Sequence, residues 1–215
     1  MPPSRDILEG LTAIANAWRT LAIAWHAIAG VFLMSLLLGW RPTKRAVGIA
    51  IAVSMASVSV LAWNSGNPFN GTVFSILALV LAGMASLLTR ERVGVGPAGI
   101  VALGTVLVVF GWTYPHFLET RSWISYLYAA PLGLIPCPTL SAAIGLTLVT
   151  GLFGSRTWSA ALATLGILYG LIGVFRLGVV MDGILLGGAL WLAVMVARAA
   201  WTAPKRLSTK LSHAA

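Results

Sequence analysis

The sequence predicts an all-α integral membrane bundle, and three observations carry that prediction. Mean hydropathy is +0.93, and 59% of the 215 residues are hydrophobic. Only 9% of the residues are charged, whereas a soluble domain carries about a quarter. The apolar residues also fall into long runs that short polar connectors separate. Because lipid offers the backbone no hydrogen-bond partner, we expect each of these runs to be a helix.

Seven apolar runs are candidates for membrane spans, although several are shorter than the ~20 residues that cross a bilayer core. Their approximate limits are 20–40, 46–63, 71–89, 97–114, 138–154, 159–175 and 183–200. The connectors are short, so we expect helices adjacent in sequence to pack antiparallel. This divides the chain into an outer N-terminal segment, a seven-helix transmembrane domain and a basic cytoplasmic tail, which cover residues 1–19, 20–200 and 201–215.

The N-terminal segment carries apolar residues at helical spacing. Within residues 6–19 these are Ile7, Leu8, Leu11, Ile14 and Trp18. Such a pattern is typical of a helix that lies in the outer membrane interface. A simple extension of the first span fits the same pattern, and the sequence does not separate the two interpretations.

The basic residues predict the orientation. Ten lie on one side of the predicted spans: Arg41, Lys44, Arg45, Arg90, Arg92, Arg156, Arg198, Lys205, Arg206 and Lys210. Four lie on the other side: Arg5, Arg19, Arg121 and Arg176. By the positive-inside rule, the N-terminus is outside and the C-terminus cytoplasmic, in a bacterial inner membrane. The net charge of +9 then reflects topology, and no nucleic-acid partner is predicted.

Residues 123–154 form an apolar run that is too long for one straight span. As a single helix they would extend about 48 Å, against a hydrocarbon core of ~30 Å. Three prolines interrupt the run, at positions 131, 136 and 138. We therefore expect 123–134 to be a re-entrant or interfacial segment, and 138–154 to cross the membrane with Pro138 in its first turn.

The function of this break has two interpretations. Discontinuous helices in transporters bind ions or substrates, and here the carbonyls near 132–135 and the amide end of the next helix would be exposed. Alternatively, the prolines shape an extracytoplasmic turn, and Cys137 is a small buried hydrophobe. Cys137 is the only cysteine of the chain, which excludes an intrachain disulfide.

The predicted topology places uncommon polar residues at one depth, in the outer leaflet. They are His26, Asn64, Asn67, Asn70, Tyr114, His116, Glu119, Cys137 and Asp182. Ionisable residues inside a membrane are functional candidates by default. Four of them have a structural alternative: His26 as a neutral histidine bonded to a neighbouring helix, Asp182 as a helix cap or a partner of Arg176, and His116 and Glu119 as loop residues.

Histidine and cysteine at a shared depth raise the possibility of a metal site. His26, His116 and Cys137 together could bind copper or zinc, and His26 with His116 could ligate haem b. No pair has ligand spacing in the sequence. The motifs of hydrolases, zinc proteases and nucleotide-binding loops do not occur, so the sequence does not predict an enzyme.

Several stretches together resemble a known family. They are ANAWRTLAIAW (15–25), WNSGNPFNGTVFSI (63–76), TYP (113–115), PCPTLSAAIGLTL (136–148) and LYGLIGVFRLGVVMDGILL (168–186). In this order they resemble an uncharacterised family of bacterial multi-spanning membrane proteins with a Pro-Cys-Pro-Thr motif. The resemblance points to Asn16, Trp18, Asn67, Pro68, Tyr114, Pro115, Pro136, Cys137, Pro138, Thr139 and Asp182. The resemblance does not indicate which reaction, if any, the protein catalyses.

These observations favour a protein that transports or binds a small solute or ion at an outer-leaflet polar site. The expected site consists of His26, Asn67, Tyr114, His116, Pro136, Cys137, Pro138, Thr139 and Asp182. One alternative is an accessory or scaffold subunit whose partners are other subunits of a membrane complex. A second alternative is a metal- or haem-binding membrane protein. In every case the lipid bilayer is an expected partner.

Overall fold

A computed structural model describes residues 3–151 and 155–201, with side chains described as far as residue 198. In this part of the chain the regular structure is helical, apart from an isolated antiparallel bridge between Thr43 and Arg92. The all-α prediction is therefore confirmed for the described residues. The predicted basic tail lies outside them, except for Trp201.

The α-helices of the described residues are numbered in chain order. They are α1 (Ser4–Ala17), α2 (Arg19–Leu37), α3 (Lys44–Asn64), α4 (Pro68–Leu87), α5 (Ala98–Thr113), α6 (Tyr126–Ala129), α7 (Pro136–Val149), α8 (Arg156–Leu171) and α9 (Gly183–Trp201). Shorter helical turns accompany them. They are 3₁₀ turns at Trp123–Ser125 and Val180–Asp182, and a π turn at Ile172–Arg176 that continues α8.

Each of the seven predicted spans coincides with a helix, but the helices differ in reach. In the described residues α2, α3, α4, α8 with its π turn, and α9 are long and apolar enough to cross a membrane. Their presence indicates a membrane protein. By contrast, α5 has 16 residues and α7 has 14, and at about 1.5 Å per residue neither matches a ~30 Å core. The count of seven spans therefore stays a prediction.

The short helix α7 lies at the centre of the bundle. Eleven of its 14 residues are buried, and it contacts α3, α5, α8 and α9. The approach of α5 is especially close: a Cβ on Gly145 of α7 would lie 2.5 Å from the carbonyl oxygen of Gly104. Small residues allow such contact between helices in lipid. Around this centre, α3 pairs with α4 and α8 pairs with α9.

Helix α2 lies at the edge of the bundle. Only Ala22, His26 and Ser35 of this helix are buried. Large apolar side chains on its outer face are open, with Val31 69% exposed and Leu37 81% exposed. Such a face is compatible with contact to lipid acyl chains.

The N-terminal segment contains a helix of its own. The backbone leaves helical geometry at Trp18 (φ −108°, ψ 27°), so α1 does not simply extend α2. One side of α1 buries Leu11, Ile14 and Ala15, and the other carries an exposed ion pair between Arg5 and Glu9. A position of α1 in the lipid interface stays a prediction.

The chain breaks where the prolines predict it, with two corrections to the bounds. Residues 130–135 are non-helical and buried, and α7 begins at Pro136 rather than at Pro138. The re-entrant or interfacial segment expected over 123–134 contains only a 3₁₀ turn followed by the single-turn α6. Helix α7 ends at Val149, and residues 152–154 of the predicted span lie outside the described residues.

Candidate functional site

The first turn of α7 begins inside the protein, and its two prolines suit that position. A helix start leaves amide donors without intrahelical partners, and burial makes an unpartnered donor costly. Pro136 is the first helical residue and Pro138 the third, and neither has an N–H group. Among the first three residues only Cys137 contributes an amide. The prolines therefore stop the preceding segment and remove two donors that would need partners.

Side chains from three helices satisfy the backbone of the break. The Thr139 hydroxyl accepts a hydrogen bond from the Gly133 amide at 2.9 Å and donates one to the Ile135 carbonyl at 2.8 Å. Ser57 of α3 donates to the Gly133 carbonyl at 2.7 Å, and Trp25 of α2 donates to Ser57 at 3.1 Å. The carbonyls of Gly133 and Ile135, two of those expected to be exposed near 132–135, therefore have partners within the protein.

Gly133 is required at this turn for two reasons. Its φ of +75° is a left-handed conformation that favours glycine. The Trp25 ring also lies directly over its α-carbon, where a Cβ would overlap the indole. The break is thus a fixed structure, and Thr139 has a structural role in it.

Asp182 is the most deeply buried carboxyl group of the site. It is 1% exposed and lies in the 3₁₀ turn that leads into α9. Its Oδ1 accepts a hydrogen bond of 2.7 Å from the hydroxyl of Tyr114, which has no exposed surface. Cys137 lines the same cavity as this carboxyl group. Among the described residues no lysine, arginine or histidine forms an ion pair with Asp182, and its hydrogen-bond donor Tyr114 is neutral.

The π turn after α8 makes room for this carboxylate. A Cβ at Gly173 would overlap Asp182 Oδ2, so only glycine allows the side chain to occupy this position. π-turns inside helices are found frequently at functional sites. The turn therefore brings the α8 backbone against the second oxygen of Asp182, while Tyr114 holds the first.

A cavity of about 430 Å³ opens beside Asp182 and Cys137. Its volume falls within the range of small-molecule sites. Helix α1 forms one apolar wall, and the α3–α4 connection, the start of α7 and the end of α8 form the others. The polar groups of the lining differ in burial: Asn70, Tyr169 and Asp182 are buried, whereas Asp6 and Arg176 are exposed where the cavity opens at one end of the bundle. This end of the bundle is called the cavity end below.

A second buried hydrogen bond lies in the cavity wall. The Tyr169 hydroxyl of α8 donates to Asn70 Oδ1 of α4 at 2.9 Å. Asn67 caps α4, because its side-chain oxygen accepts from the Asn70 amide at 3.0 Å. Sequence reasoning did not place Asn70 and Tyr169 in the site. The one sequence feature that could have indicated Tyr169 is its position as a tyrosine within the apolar run of α8.

An asparagine of α1 holds the turn that carries Tyr114 and His116. Asn16 donates to the Phe117 carbonyl at 3.0 Å and accepts from the Glu119 amide at 2.9 Å. Phe117 has a φ of +70°, which a residue with a large side chain adopts only under constraint. The contacts of Asn16 thus couple α1, one wall of the cavity, to the turn that follows α5.

The structure brings together part of the residue set expected from the sequence. Asn67, Pro136, Cys137 and Asp182 line the cavity, and Tyr114 lies behind it against Asp182. His116 does not line it, although it is near enough to act on Asp182 electrostatically; its ring packs edge-on against Phe117. Pro138 and Thr139 belong to the buried first turn of α7, and Thr139 faces a second, apolar cleft between α2 and α3.

His26 lies apart from the cavity. Its Nδ1 is 2.8 Å from the Ala22 carbonyl oxygen and its Nε2 is 2.9 Å from that of Trp112. Both ring nitrogens therefore face backbone oxygens between α2 and α5. His26 was expected to be part of the site, but it does not line the cavity. The alternative in which His26 bonds to a neighbouring helix describes this geometry.

The structure does not assemble the expected metal site. Within the described ranges, no group of three or more His, Cys, Asp or Glu side chains could hold a metal ion. The copper or zinc set of His26, His116 and Cys137 is therefore not supported. Haem ligation by His26 is not supported either, because both of its ring nitrogens lie against backbone carbonyl oxygens.

Comparison with known proteins adds no further constraint. A scan against models of protein families, a search of curated proteins and a search of solved structures each found no match to this chain. The resemblance to an uncharacterised membrane family stays a prediction. The function must therefore be argued from the site.

Proposed function

We propose that the protein binds a small solute in the cavity beside Asp182 as part of its transport across a bacterial inner membrane. One observation carries this proposal. A buried carboxyl group that forms no ion pair with a described residue lies in the wall of a cavity of about 430 Å³, with a neutral tyrosine as its hydrogen-bond donor. Polar groups buried in this way mark substrate and ion pathways in membrane proteins.

The backbone around the cavity supports the same proposal. Three irregular segments border it: residues 130–135, the π turn 172–176 and the 3₁₀ turn 180–182. Irregular backbone at membrane depth is tolerated where it is buried in protein or lines a cavity. Transporters commonly bind their substrates where helices are interrupted in this way.

The orientation belongs to the proposal as well. Arg5, Arg19, Arg121 and Arg176 are the basic residues of the cavity end, and the opposite end carries more of them. The positive-inside rule then places the cavity on the periplasmic side. A solute would bind from that side.

A ligand screen on purified protein in lipid nanodiscs tests the proposal. The panel spans cations, anions and neutral solutes, and the readout is the melting temperature. We expect at least one solute to raise it for the wild type and for Glu91→Gln, a control far from the cavity. The same solute should leave Asp182→Asn unchanged. A panel in which no solute stabilises the wild type, or in which both variants respond alike, would contradict the proposal.

A role as accessory subunit of a larger membrane complex is the second candidate, and α2 is the observation that favours it. This helix buries only three residues against the rest of the bundle, so its outer face is free to meet another protein. Purification in a mild detergent distinguishes the candidates. A stoichiometric co-purifying membrane protein would support the subunit role, and a single monodisperse species would count against it.

A further inference from the structure

We propose that the cavity selects small organic amines in their protonated form, with the ammonium group against Asp182 and the apolar body against α1. This inference rests on the proposed function, because it names the class of solute that the same cavity takes. Three independent features of the cavity carry it: the missing counter-ion, the balance of charge in the lining and the apolar walls.

The missing counter-ion is the first feature. Burial of a carboxylate is costly unless a cation or several strong donors accompany it. Asp182 accepts a hydrogen bond from the Tyr114 hydroxyl, and its second oxygen lies against the Gly173 backbone, with Cys137 in the same cavity lining. No described cationic side chain forms an ion pair with it, and His116, which acts on it electrostatically, is not part of the cavity lining. An ammonium group in the cavity would supply that charge and N–H donors directed at the carboxylate.

The balance of charge in the lining is the second feature. Asp6 and Arg176 lie at the exposed mouth of the cavity and have opposite signs, so to a first approximation they offset each other. Asp182 alone is deeply buried. Since water screens the mouth but not the interior, the interior favours a cation. An anionic solute would meet the Asp182 carboxyl group without a buried cation to offset it.

The nature of the walls is the third feature, and it favours an organic cation over an inorganic one. Leu11, Ile14, Phe117 and Ile135 present hydrocarbon to the space beside Asp182. Hard metal ions need about six oxygen ligands, and the described residues hold no cluster that could bind a metal. An amine with an aromatic or aliphatic body matches both parts of the cavity: its charge meets the carboxyl group, and its body removes apolar surface from water.

A matched set of three probes tests this inference. The probes are 2-phenylethylamine, 2-phenylethanol and 3-phenylpropanoate, which share an apolar body and are cationic, neutral and anionic at neutral pH. Binding to the full chain in phosphatidylcholine nanodiscs is followed by isothermal titration, with empty nanodiscs as the blank. We expect the amine to bind roughly 10-fold to 100-fold more tightly than the alcohol, as a charged hydrogen bond would produce.

Variants and the single cysteine supply the controls. Asp182→Asn should remove the preference for the amine, whereas Glu91→Gln should retain it. If Asp182→Asn does not fold, the wild type alone still gives an answer, because Cys137 lines the cavity and is the only thiol. The bound amine should slow modification of Cys137 by methyl methanethiosulfonate, and the alcohol at equal concentration should protect it far less.

The outcomes separate failure of this inference from failure of the proposed function. Equal binding of all three probes, or an amine preference that persists in Asp182→Asn, would overturn the selection of ammonium and leave solute binding intact. If the amine does not bind while solutes of another class do, the selection of ammonium is likewise overturned and solute binding is left intact. If no solute of any class binds or protects Cys137, both the inference and the proposed function are overturned.

Discussion

At the cavity end of the bundle, Asp182 accepts a hydrogen bond from Tyr114 with both residues almost wholly buried, and no described cation pairs with it. At the opposite end, Lys44 and Glu91 form an ion pair of 2.7 Å on an exposed surface. A short backbone bridge between Thr43 and Arg92 joins the same two loops. Helix α3 separates the two ends, running from Lys44 to the α3–α4 connection that lines the cavity.

The two ends differ in how much a polar contact is expected to contribute to stability. Water screens the exposed pair and can replace either partner, so its loss is expected to change stability little. A buried donor or acceptor that loses its partner has no water to replace it, and the full desolvation penalty remains. Substitutions at the cavity end should therefore cost more than equivalent ones at the other end.

The largest effect is expected for Thr139→Val, which keeps the shape of the side chain and removes its hydroxyl. The Gly133 amide and the Ile135 carbonyl would both lose a partner inside the protein. We expect the free energy of unfolding to fall by about 2–4 kcal/mol. Thr105→Val on the exposed face of α5 is the matched control, since its hydroxyl bonds only to its own helix. Chemical unfolding in mixed micelles measures both, and equal losses would contradict the prediction.

Tyr114→Phe should have the next largest effect. It removes the hydroxyl that holds Asp182 Oδ1 and leaves a buried acceptor without its donor. The expected loss is about 1–3 kcal/mol of unfolding free energy. Tyr128→Phe, on an exposed ring, should cost much less. If the two variants unfold at the same denaturant concentration, the Tyr114–Asp182 contact does not stabilise the cavity end.

Asn16→Ala should loosen the turn that carries Tyr114. The partly buried amide side chain makes one hydrogen bond to Phe117 and one to Glu119, so a loss of about 1–2 kcal/mol is expected. The sharper readout is hydrogen exchange. The Glu119 amide should exchange faster in the variant, while amides in α3 keep their wild-type rates. Unchanged exchange at Glu119 would show that α1 does not hold this turn.

The smallest effect is expected at the exposed ion pair and depends on pH. The hydrogen bond from Lys44, together with one from Thr89, lowers the pKa of Glu91 below its ordinary value. A carboxyl group with a lowered pKa contributes stability above its unfolded pKa and loses it as pH falls through the folded one. The melting temperature of the wild type should therefore approach that of Glu91→Gln in acid. A gap between them that is large, or that widens in acid, would contradict this assignment.

Much of the fold could be predicted because hydrophobic runs report directly on helices. The break at residues 130–135 was predictable for a similar reason, since prolines cannot continue a helix. The bounds of α5 were predicted to within one residue at each end, but apolar composition did not show that the residues before α7 are buried without being helical. Residues 130–135 show this: they are apolar because protein covers them, not because they cross lipid.

The site was only partly predictable, because a sequence indicates depth in a membrane but not direction around a helix. Cys137 and Asp182 were expected at one depth and do line one cavity. His26 was expected at that depth too, yet it faces the space between α2 and α5. The pair formed by Asn70 and Tyr169 was missed because it joins α4 and α8 across the bundle, and no spacing in the sequence indicates such a contact.

The central claim is that the cavity beside Asp182 is a solute site open to the periplasmic side. The most direct test is the rate at which a membrane-impermeant methanethiosulfonate reagent, added outside spheroplasts, modifies Cys137. Protein denatured in detergent sets the value for full modification. We expect Cys137 to be modified, and we expect at least one solute to slow the reaction in a concentration-dependent way. No modification from that side, or a rate that no solute changes, would contradict it.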